Sequence, residues 1–324
     1  MTGRQELRIP VPSPRGDLWH TAAWLTVPDP VRRSELQILL HGATYDHRYW
    51  DWPLEPQTYS YVRFATEYGS ATLAVDRIGS GFSTRPPGRD NTVRAQARAL
   101  SHLVRAARTG ALGGQAFSRV VLVGHSLGSV LAAAEAAWYT DVDAVVLTGL
   151  MGIGTTAEDD DPRADLGFTP AVHDPVTGHL TGLVDDAYLT VRTDLRVPMF
   201  YVQDNVHPDV LSLDERIKGV ITRGEVSDMG TAAAAAREVR APALVLIGEH
   251  DAMEIDPATD SSGYAAVERL APQAPGNFEF TVLPGVGHNI NLHRSAPDAY
   301  RLIADWLDAT AERAAGNTGD RRHV

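Results

Sequence analysis

The strongest constraint on this chain is an apolar run that ends abruptly at a serine flanked by glycines. Residues 120–123 are Val-Val-Leu-Val, and they lead directly into Gly124-His125-Ser126-Leu127-Gly128. An alanine-rich run of strong helix formers follows, up to Thr140. A strand, a tight turn and a helix in this order are typical of a nucleophile elbow, in which the glycines let the turn close without a Cβ clash. Ser126 is therefore the candidate nucleophile.

The helix predicted after this turn supplies a first oxyanion donor. Its N-terminus directs partial positive charge at the serine, and the backbone N–H of Leu127 can stabilise an oxyanion there. The structural alternative is an ordinary strand–helix turn in which Ser126 only caps the helix.

A second oxyanion donor is expected after an earlier strand. Residues 36–40 are Leu-Gln-Ile-Leu-Leu, which reads as a buried strand, and they run into His41-Gly42-Ala43-Thr44. Gly42 permits a sharp turn, and Ala43 can offer its N–H to the same oxyanion. We expect His41 to support this loop rather than to transfer a proton.

Two further strand-like runs are followed by a candidate acid and a candidate base. Residues 243–247 lead into Gly248-Glu249-His250-Asp251, and residues 278–283 are followed by a flexible loop that ends at His288. An open parallel sheet places functional groups at the carboxyl ends of its strands. Asp251 can then orient the imidazole of His288, which acts as the general base for the serine.

Each of these partners has a competitor. Glu249 lies two residues before Asp251 and could replace it as the orienting carboxylate. His250 and His293 compete with His288, although the first abuts the acid and the second lies close to the following helix. The chain's twelve histidines contain no HExxH or HxHxD pattern, so we predict no metal site.

Taken in order, five segments resemble the α/β-hydrolase fold superfamily over most of the chain, from about residue 35 to 310. These segments are His41-Gly42-Ala43, residues 76–83, residues 124–128, Gly248-Glu249-His250-Asp251 and Gly287-His288-Asn289. The resemblance implies a serine hydrolase with the order nucleophile, acid, histidine, which assigns these roles to Ser126, Asp251 and His288. The superfamily also contains thioesterases, lactonases, cofactor-free haloperoxidases, lyases and hormone receptors, so the resemblance does not identify the substrate.

The glycine-containing segment at residues 76–83 raises the question of a dinucleotide site. It follows an apolar run and reads Asp-Arg-Ile-Gly-Ser-Gly-Phe-Ser, but the third glycine of the dinucleotide fingerprint is missing. The superfamily resemblance accounts for the segment as a structural turn in which Asp76 and Arg77 hold the loop. We therefore expect no cofactor.

Composition excludes several classes of function. The chain has 324 residues, of which 44% are hydrophobic, enough for one large catalytic domain with an insertion. A net charge of −12 disfavours nucleic acid and anionic membrane surfaces as partners. The absence of cysteine excludes disulfides and a thiol nucleophile. With no recognisable signal peptide or membrane span, we expect a cytoplasmic protein, and its oligomeric state is left open.

A long insertion separates two of the predicted strands. About ninety residues lie between the strands predicted at 144–150 and 243–247, too many for a single crossover. The predicted fold class is therefore α/β, with a doubly wound, mostly parallel sheet of the α/β-hydrolase type and an inserted, mainly helical cap. We expect the catalytic core to comprise residues 1–152 and 231–315, the cap to comprise residues 153–230, and residues 316–324 to form a disordered tail.

Aromatic residues give the only indication of the substrate. Tyr45 and Trp50 follow the loop at residues 41–44, Phe200 and Tyr201 lie in the cap, and His125 lies beside the nucleophile. They could enclose an apolar acyl or alcohol group, or only pack the cap on the core. The sequence favours hydrolysis of a small-molecule carboxylic ester or lactone through an acyl-serine. The alternatives are a thioesterase or acyltransferase, a lyase or cyclase, and a ligand receptor with a vestigial triad.

Overall fold

An eight-stranded sheet organises the computed structural model, which describes residues 3–30, 33–150, 167–180, 182–183, 185–253, 262–271 and 274–320. The sheet contains β1 (Gly3–Pro12), β2 (Leu18–Val27), β3 (Glu35–Leu40), β4 (Ala71–Val75), β5 (Arg119–His125), β6 (Ala144–Thr148), β10 (Ala243–Gly248) and β11 (Phe278–Leu283). Between β6 and β10, the described residues also form β7 (Phe168–Pro170), β8 (Tyr188–Val191) and β9 (Ile221–Thr222), which pair in a separate sheet.

The large sheet is mostly parallel. Its strand order is β1-β2-β4-β3-β5-β6-β10-β11, with antiparallel pairing of β1 with β2 and of β2 with β4 and parallel pairing from β4 onward. The predicted strands that surround the elbow are confirmed to within two residues at each end. The strand predicted over 144–150 ends at Thr148 because Gly149 adopts a φ of 55°, which turns the chain out of the sheet.

Helices cover both faces of the sheet, as a doubly wound fold requires. Nine helices lie in the described ranges: α1 (Pro56–Tyr59), α2 (Tyr61–Tyr68), α3 (Val93–Thr109), α4 (Leu127–Tyr139), α5 (Thr193–Phe200), α6 (Pro208–Ile217), α7 (Arg223–Ala235), α8 (Gly263–Leu270) and α9 (Ala296–Asp320). Helices α3, α4 and α7 pack together, while α9 packs against α1 and α2. None of the helices in the described ranges has the length and apolarity needed to cross a bilayer.

The alternation of side chains along β5 divides the interior into two apolar cores. Val120 and Leu122 belong to the core under α3 and α4, whereas Val121 and Val123 belong to the core that includes residues of α2 and α9. Successive side chains of a strand point to opposite faces, so a strand buried on both sides must be apolar at every position. This requirement explains the uninterrupted apolar runs of the sequence.

The described part of the cap contains a small sheet in addition to the helices that the sequence predicts. It contains α5 and α6, but also the antiparallel sheet β7-β8-β9, with Phe168 opposite Val191 and Tyr188 opposite Thr222. These strands have two to four residues, too few for a recognisable alternation of apolar and polar positions. The sequence also contains an acidic run, Glu158-Asp159-Asp160-Asp161, which is expected to be a solvated loop at the start of the cap; it lies outside the described residues.

The sequence also predicts a helix over residues 231–240, from its alanine run, and an amphipathic helix over residues 296–315, and the structure gives both helices different bounds. Helix α7 begins at Arg223 rather than Thr231, because Thr222 and Glu225 form a capping box: Glu225 N donates to Thr222 Oγ1 over 3.3 Å, and Thr222 N donates to Glu225 Oε2 over 2.7 Å. The predicted cap boundary at 230/231 therefore lies inside a helix that packs on the core. Helix α9 extends to Asp320, so residues 316–320 of the predicted tail are helical, and residues 321–324 lie outside the described residues.

Helix α4 buries a carboxyl group away from the elbow. Glu135 is fully buried, and burial, with the nearby carboxylate of Asp141, raises its pKa from 4.5 to about 9. Between these two pH values the folded protein retains a proton that the unfolded chain releases. Protein stability therefore falls as pH rises through this interval.

We expect Glu135→Gln to stabilise the protein near pH 8, because glutamine is neutral without binding a proton. Urea unfolding should show a free energy of unfolding raised by about 1 kcal/mol or more near pH 8, with a much smaller change near pH 4.5. Glu312→Gln on the exposed face of α9 is the control, with changes within about 0.5 kcal/mol at both pH values. An equal effect of Glu135→Gln at the two pH values would contradict this account.

Candidate active site

The elbow between β5 and α4 holds Ser126 in an unusual backbone conformation. Its φ is 53° and its ψ is −120°, a region that non-glycine residues rarely adopt. The Ser126 N–H donates to the carbonyl oxygen of Thr148 over 2.8 Å, which ties the elbow to β6. The side chain of Ser126 is therefore presented at the carboxyl end of the sheet.

The glycines on either side of Ser126 are needed for close approach between backbone segments. A Cβ atom at Gly124 would lie 2.4 Å from the carbonyl oxygen of Gly128. A Cβ atom at Gly128 would lie 2.2 Å from the carbonyl oxygen of Leu40. The elbow can therefore pack directly on the end of β3, as the motif predicts.

A histidine–aspartate pair lies on the loops that follow β10 and β11. His288 Nδ1 is 2.9 Å from Asp251 Oδ1 and 3.0 Å from Asp251 Oδ2, and both side chains are buried. Because the carboxylate can only accept, Nδ1 carries the proton and Nε2 is the basic nitrogen of the neutral ring. The N–H of Met253 also donates to Asp251 Oδ1 over 3.0 Å, which fixes the carboxylate.

The competing carboxylate points to a different partner. Glu249 Oε2 accepts a hydrogen bond of 2.9 Å from the N–H of Gly285, so this side chain closes the loop after β11. The exposed ring of His250 lies 3.7 Å from the same carboxylate oxygen. The structure therefore pairs His288 with Asp251 and gives Glu249 a role in the loop.

His293, the other competing histidine, is occupied by backbone groups. Its Nε2 accepts from the N–H of Val202 over 3.0 Å and from the N–H of Gly287 over 3.2 Å, while Nδ1 lies 2.8 Å from the carbonyl oxygen of Asn289. Burial lowers the pKa of His293 to about 4. This neutral ring joins the cap to the loop that carries His288.

The loop after β3, residues 41–44, contains the predicted oxyanion donor Ala43 and lies against the elbow; we call it the oxyanion loop. A Cβ atom at Gly42 would be 3.1 Å from Ser126 Cβ and 3.1 Å from His125 Cδ2, so the backbone of this loop touches the nucleophile. Ala43 follows directly, and Leu127 is the first residue of α4, where helical N–H groups have no intrahelical acceptor. Ala43, Ser126 and Leu127 line one cavity.

That cavity lies between the core and the cap, and the space among its lining residues, which includes open solvent, is about 450 Å³. Ser126 and His288 both line it, so the elbow and the histidine of the histidine–aspartate pair share this cavity. The other side is apolar, and five of its residues come from the cap and α7. These residues are Phe168, Val191, Met199, Phe200 and Met229.

Three of the five predicted substrate-lining residues, Tyr45, His125 and Phe200, line this cavity. Trp50 instead lies in the core, with its ring 5.3 Å from that of Tyr49 and 5.4 Å from that of Tyr61. Proximity in sequence to the oxyanion loop is misleading here, because the intervening turn directs Trp50 inward.

The prediction for Tyr201 also needs correction. Tyr201 lies outside the cavity lining, with its ring 5.8 Å from that of His293. The chain changes from helical to extended backbone at the end of α5, where Tyr201 has φ −131° and ψ 145°. The side chain of Tyr201 therefore diverges from that of its neighbour Phe200.

Behind His288, His125 forms a buried polar contact with Asn289. His125 Nε2 lies 3.3 Å from Asn289 Oδ1, and Asn289 Nδ2 donates to the hydroxyl of Tyr45 over 2.6 Å. Burial, and to a lesser degree the nearby His288, hold the pKa of His125 well below its usual value. Asn289 also lines the cavity, which the sequence analysis did not predict. Its position directly after His288 could have indicated this location.

A buried ion pair anchors the cap to the oxyanion loop. Arg196 Nη2 donates to Asp214 Oδ1 over 2.8 Å, and Arg196 Nη1 donates to Thr44 Oγ1 over 2.9 Å. The N–H of Gly219 donates to the carbonyl oxygen of Thr44 over 2.7 Å. Thr44 directly follows Ala43, so the cap contacts the chain next to this predicted oxyanion donor.

Asp76 holds the glycine-containing loop after β4, as predicted. Its Oδ1 lies 2.8 Å from the N–H of His47 and 2.7 Å from His47 Nδ1, and its Oδ2 accepts from the N–H of Phe82 over 2.8 Å. Asp46, His47 and Asp76 are close enough together to share a cation. However, protein donors already occupy these carboxylates, because Arg48 donates to Asp46.

Comparison with known proteins agrees with this architecture. The model of the alpha/beta hydrolase family matches residues 37–301. A monoacylglycerol lipase of Paleococcus ferrophilus is similar in structure, with TM-score 0.58, 16% identity, and 94% of this chain and 99% of that chain covered. A carboxylesterase of Bacillus subtilis is similar with TM-score 0.58, 16% identity, and coverage of 93% and 91%.

A third similar structure is a meta-cleavage product hydrolase of Pseudomonas fluorescens, with TM-score 0.57, 17% identity, and coverage of 90% and 95%. Among curated proteins, none matches the chain. The similarity at this level of identity establishes the fold, and the chemistry must be inferred from the residues of the cavity.

Proposed function

This chain belongs to the alpha/beta hydrolase family, and on that basis we propose that it is a serine hydrolase that cleaves a carboxylic ester or lactone through an acyl-serine intermediate. One observation carries the proposal. The serine of the strained elbow lines the same cavity as His288, whose Nδ1 lies 2.9 Å from the buried carboxylate of Asp251. A nucleophile, a base and an orienting acid on three separate loops are the parts of an acyl-transfer site.

In the proposed acylation step, Ser126 Oγ attacks the carbonyl carbon of the ester while His288 Nε2 takes the hydroxyl proton. The tetrahedral intermediate then collapses with cleavage of the carbon–oxygen bond to the alcohol. The proton on His288 passes to the departing oxygen, which leaves an acyl-serine. Asp251 keeps the proton of the neutral imidazole on Nδ1 and stabilises the imidazolium while it exists.

Two backbone N–H groups, from Ala43 and Leu127, are proposed to stabilise the oxyanion of the tetrahedral intermediate. Leu127 is the first residue of α4, so the partial positive charge of the helix N-terminus adds to its effect. A preorganised donor of this kind contributes on the order of 3 kcal/mol to transition-state stabilisation.

Water completes the cycle by the same two steps, with water as the attacking group and Ser126 as the leaving group. His288 Nε2 takes a proton from water, the hydroxide equivalent attacks the acyl carbon, and the bond to Ser126 Oγ breaks as that oxygen regains its proton. The product is a carboxylic acid. With a lactone the alcohol stays attached to the acyl group, so the product is a hydroxy acid.

The lining of the cavity favours an apolar substrate. Phe168, Val191, Met199, Phe200 and Met229 face the cavity that contains Ser126. Apolar side chains contribute to binding through the area of substrate that they remove from water. We therefore propose esters with an apolar acyl or alcohol group as the substrates.

Replacement of the nucleophile tests the proposal directly. We expect Ser126→Ala to abolish both labelling by a fluorophosphonate probe and hydrolysis of short p-nitrophenyl esters, with circular dichroism unchanged. Ser129→Ala is a matched control, since Ser129 lies buried in the first turn of α4 beside the elbow and donates to the carbonyl oxygen of Thr148 over 2.9 Å. Undiminished labelling of Ser126→Ala would contradict the assignment, and labelling of the parent without turnover of any ester would favour a receptor.

The two carboxylates after β10 provide a second test. Asp251→Asn should lower kcat about a thousandfold or more, because an amide does not hold the imidazole in the required tautomer. Glu249→Gln should stay within about threefold of the parent, because the amide oxygen of glutamine can still accept from Gly285. Steady-state kinetics and probe labelling rates measure both effects. The opposite ranking would transfer the orienting role to Glu249.

Selectivity tests the role of the cap. Phe200→Ala should change the ratio of kcat/KM for bulky and small esters by about tenfold or more, which corresponds to about 1.4 kcal/mol of differential transition-state binding. Tyr201→Ala, a neighbouring aromatic truncation outside the cavity lining, should keep the parent ratio while lowering the melting temperature. A parent ratio in Phe200→Ala would show that the substrate does not contact this ring.

A further inference from the structure

The proposed oxyanion donor of Ala43 belongs to the peptide unit that joins it to Gly42. This peptide bond is trans, since the only cis bond in the described residues is Asp29-Pro30. A trans peptide is rigid and planar, and its C=O and N–H point in opposite directions. Any group that fixes the direction of the Gly42 carbonyl therefore also fixes the direction of the Ala43 N–H.

Two side chains hold that carbonyl. Arg77 Nη2 donates to the carbonyl oxygen of Gly42 over 3.2 Å, and His41 Nδ1 lies 2.8 Å from the same oxygen. Arg77 Nε also donates to the carbonyl oxygen of His41 over 3.0 Å. One guanidinium thus binds two consecutive carbonyl groups of the oxyanion loop.

The geometry also determines how His41 acts. The backbone N–H of Arg77 donates to His41 Nε2 over 3.2 Å, so Nε2 is unprotonated and the ring proton lies on Nδ1. Burial, followed by the positive charge of Arg77, holds the pKa of His41 well below its usual value, which keeps the ring neutral. His41 therefore donates to Gly42 from Nδ1 as a second, fixed donor.

The guanidinium of Arg77 is itself held from the other side. Arg77 Nη1 forms a buried ion pair with Glu225 Oε1 and donates to Gln96 Oε1 over 3.3 Å. Glu225 Oε2 accepts from Thr222 at the start of α7. These contacts keep the guanidinium facing the oxyanion loop and connect that loop to the helix by which the cap returns to the core.

We infer that Arg77 is a positioning residue, which holds the Gly42 carbonyl so that the N–H of Ala43 faces the oxyanion formed on Ser126. The inference rests on the proposed serine-hydrolase function. Without Arg77, this peptide unit could rotate and turn its carbonyl oxygen toward the site. The carbonyl oxygen would then replace the N–H donor and repel the oxyanion. Loss of Arg77 should therefore impair transition-state stabilisation more than substrate binding.

The test compares Arg77→Met with Arg119→Met. Methionine removes the guanidinium donors but keeps a long, unbranched apolar side chain. Arg119 lies at the opposite end of β5 from the elbow and forms a partly buried ion pair with Glu35, with 2.9 Å between Nε and Oε2. It therefore controls for the loss of an arginine ion pair. The measurements are kcat and KM for a p-nitrophenyl ester, and Ki for a trifluoromethyl ketone. This ketone forms a tetrahedral oxyanion with the nucleophile.

For Arg77→Met we expect kcat to fall by about 10- to 100-fold and Ki for the ketone to rise by a similar factor, with KM within about threefold. Arg119→Met should keep the parent kcat and Ki. If Arg77→Met does not fold, Arg77→Lys decides the question. Lysine keeps the charge beside Glu225 but lacks the planar fork that binds two carbonyls, so the same pattern is expected with a smaller amplitude.

Two outcomes are distinguishable. Parent values of kcat and Ki in a folded Arg77 variant, or an increase in KM alone, would overturn the positioning role while leaving the serine-hydrolase proposal standing. Absence of labelling at Ser126 and of turnover in the parent protein would overturn the proposed function and this inference together.

Discussion

The close approach of the elbow to the end of β3 is the contact on which the site depends. A side chain at Gly128 would place its Cβ 2.2 Å from the carbonyl oxygen of Leu40, so only glycine allows the two backbones to meet. This contact brings the N-terminus of α4 beside the oxyanion loop. It therefore places Leu127 and Ala43 at one cavity, although they lie 84 positions apart in the sequence.

Buried polar pairs hold the loops that this contact brings together. His288 is held by Asp251, Arg77 by Glu225, and the cap residue Arg196 by Asp214. Each pair joins loops or helices that the sheet alone does not align. A buried charge is costly to leave unpaired, so these partners restrict each loop to arrangements that satisfy all of them. The site is thus positioned by electrostatics in addition to apolar packing.

Local patterns predicted the core well and the cap less well. The strands around the elbow are apolar on both faces, so their sequences are continuous and distinctive. The strands of the cap are two to four residues long, and their pairing depends on neighbours distant in sequence. The early start of α7 was predictable in principle, because Thr222 and Glu225 have the spacing of a capping box. The inward direction of Trp50 was not predictable, because it depends on a turn whose geometry is tertiary.

The sequence by itself identified the elbow and the candidates Ser126, Asp251 and His288, each of which follows a predicted strand, because glycine spacing and apolar runs are local properties. Only the tertiary structure shows that His288 pairs with Asp251 while Glu249 accepts from Gly285, since two carboxylates two residues apart differ only in where their loop directs them. It also decided that Phe200 lines the cavity and Tyr201 does not. Side-chain direction at the end of a helix depends on the backbone that packing imposes, and sequence spacing does not record it.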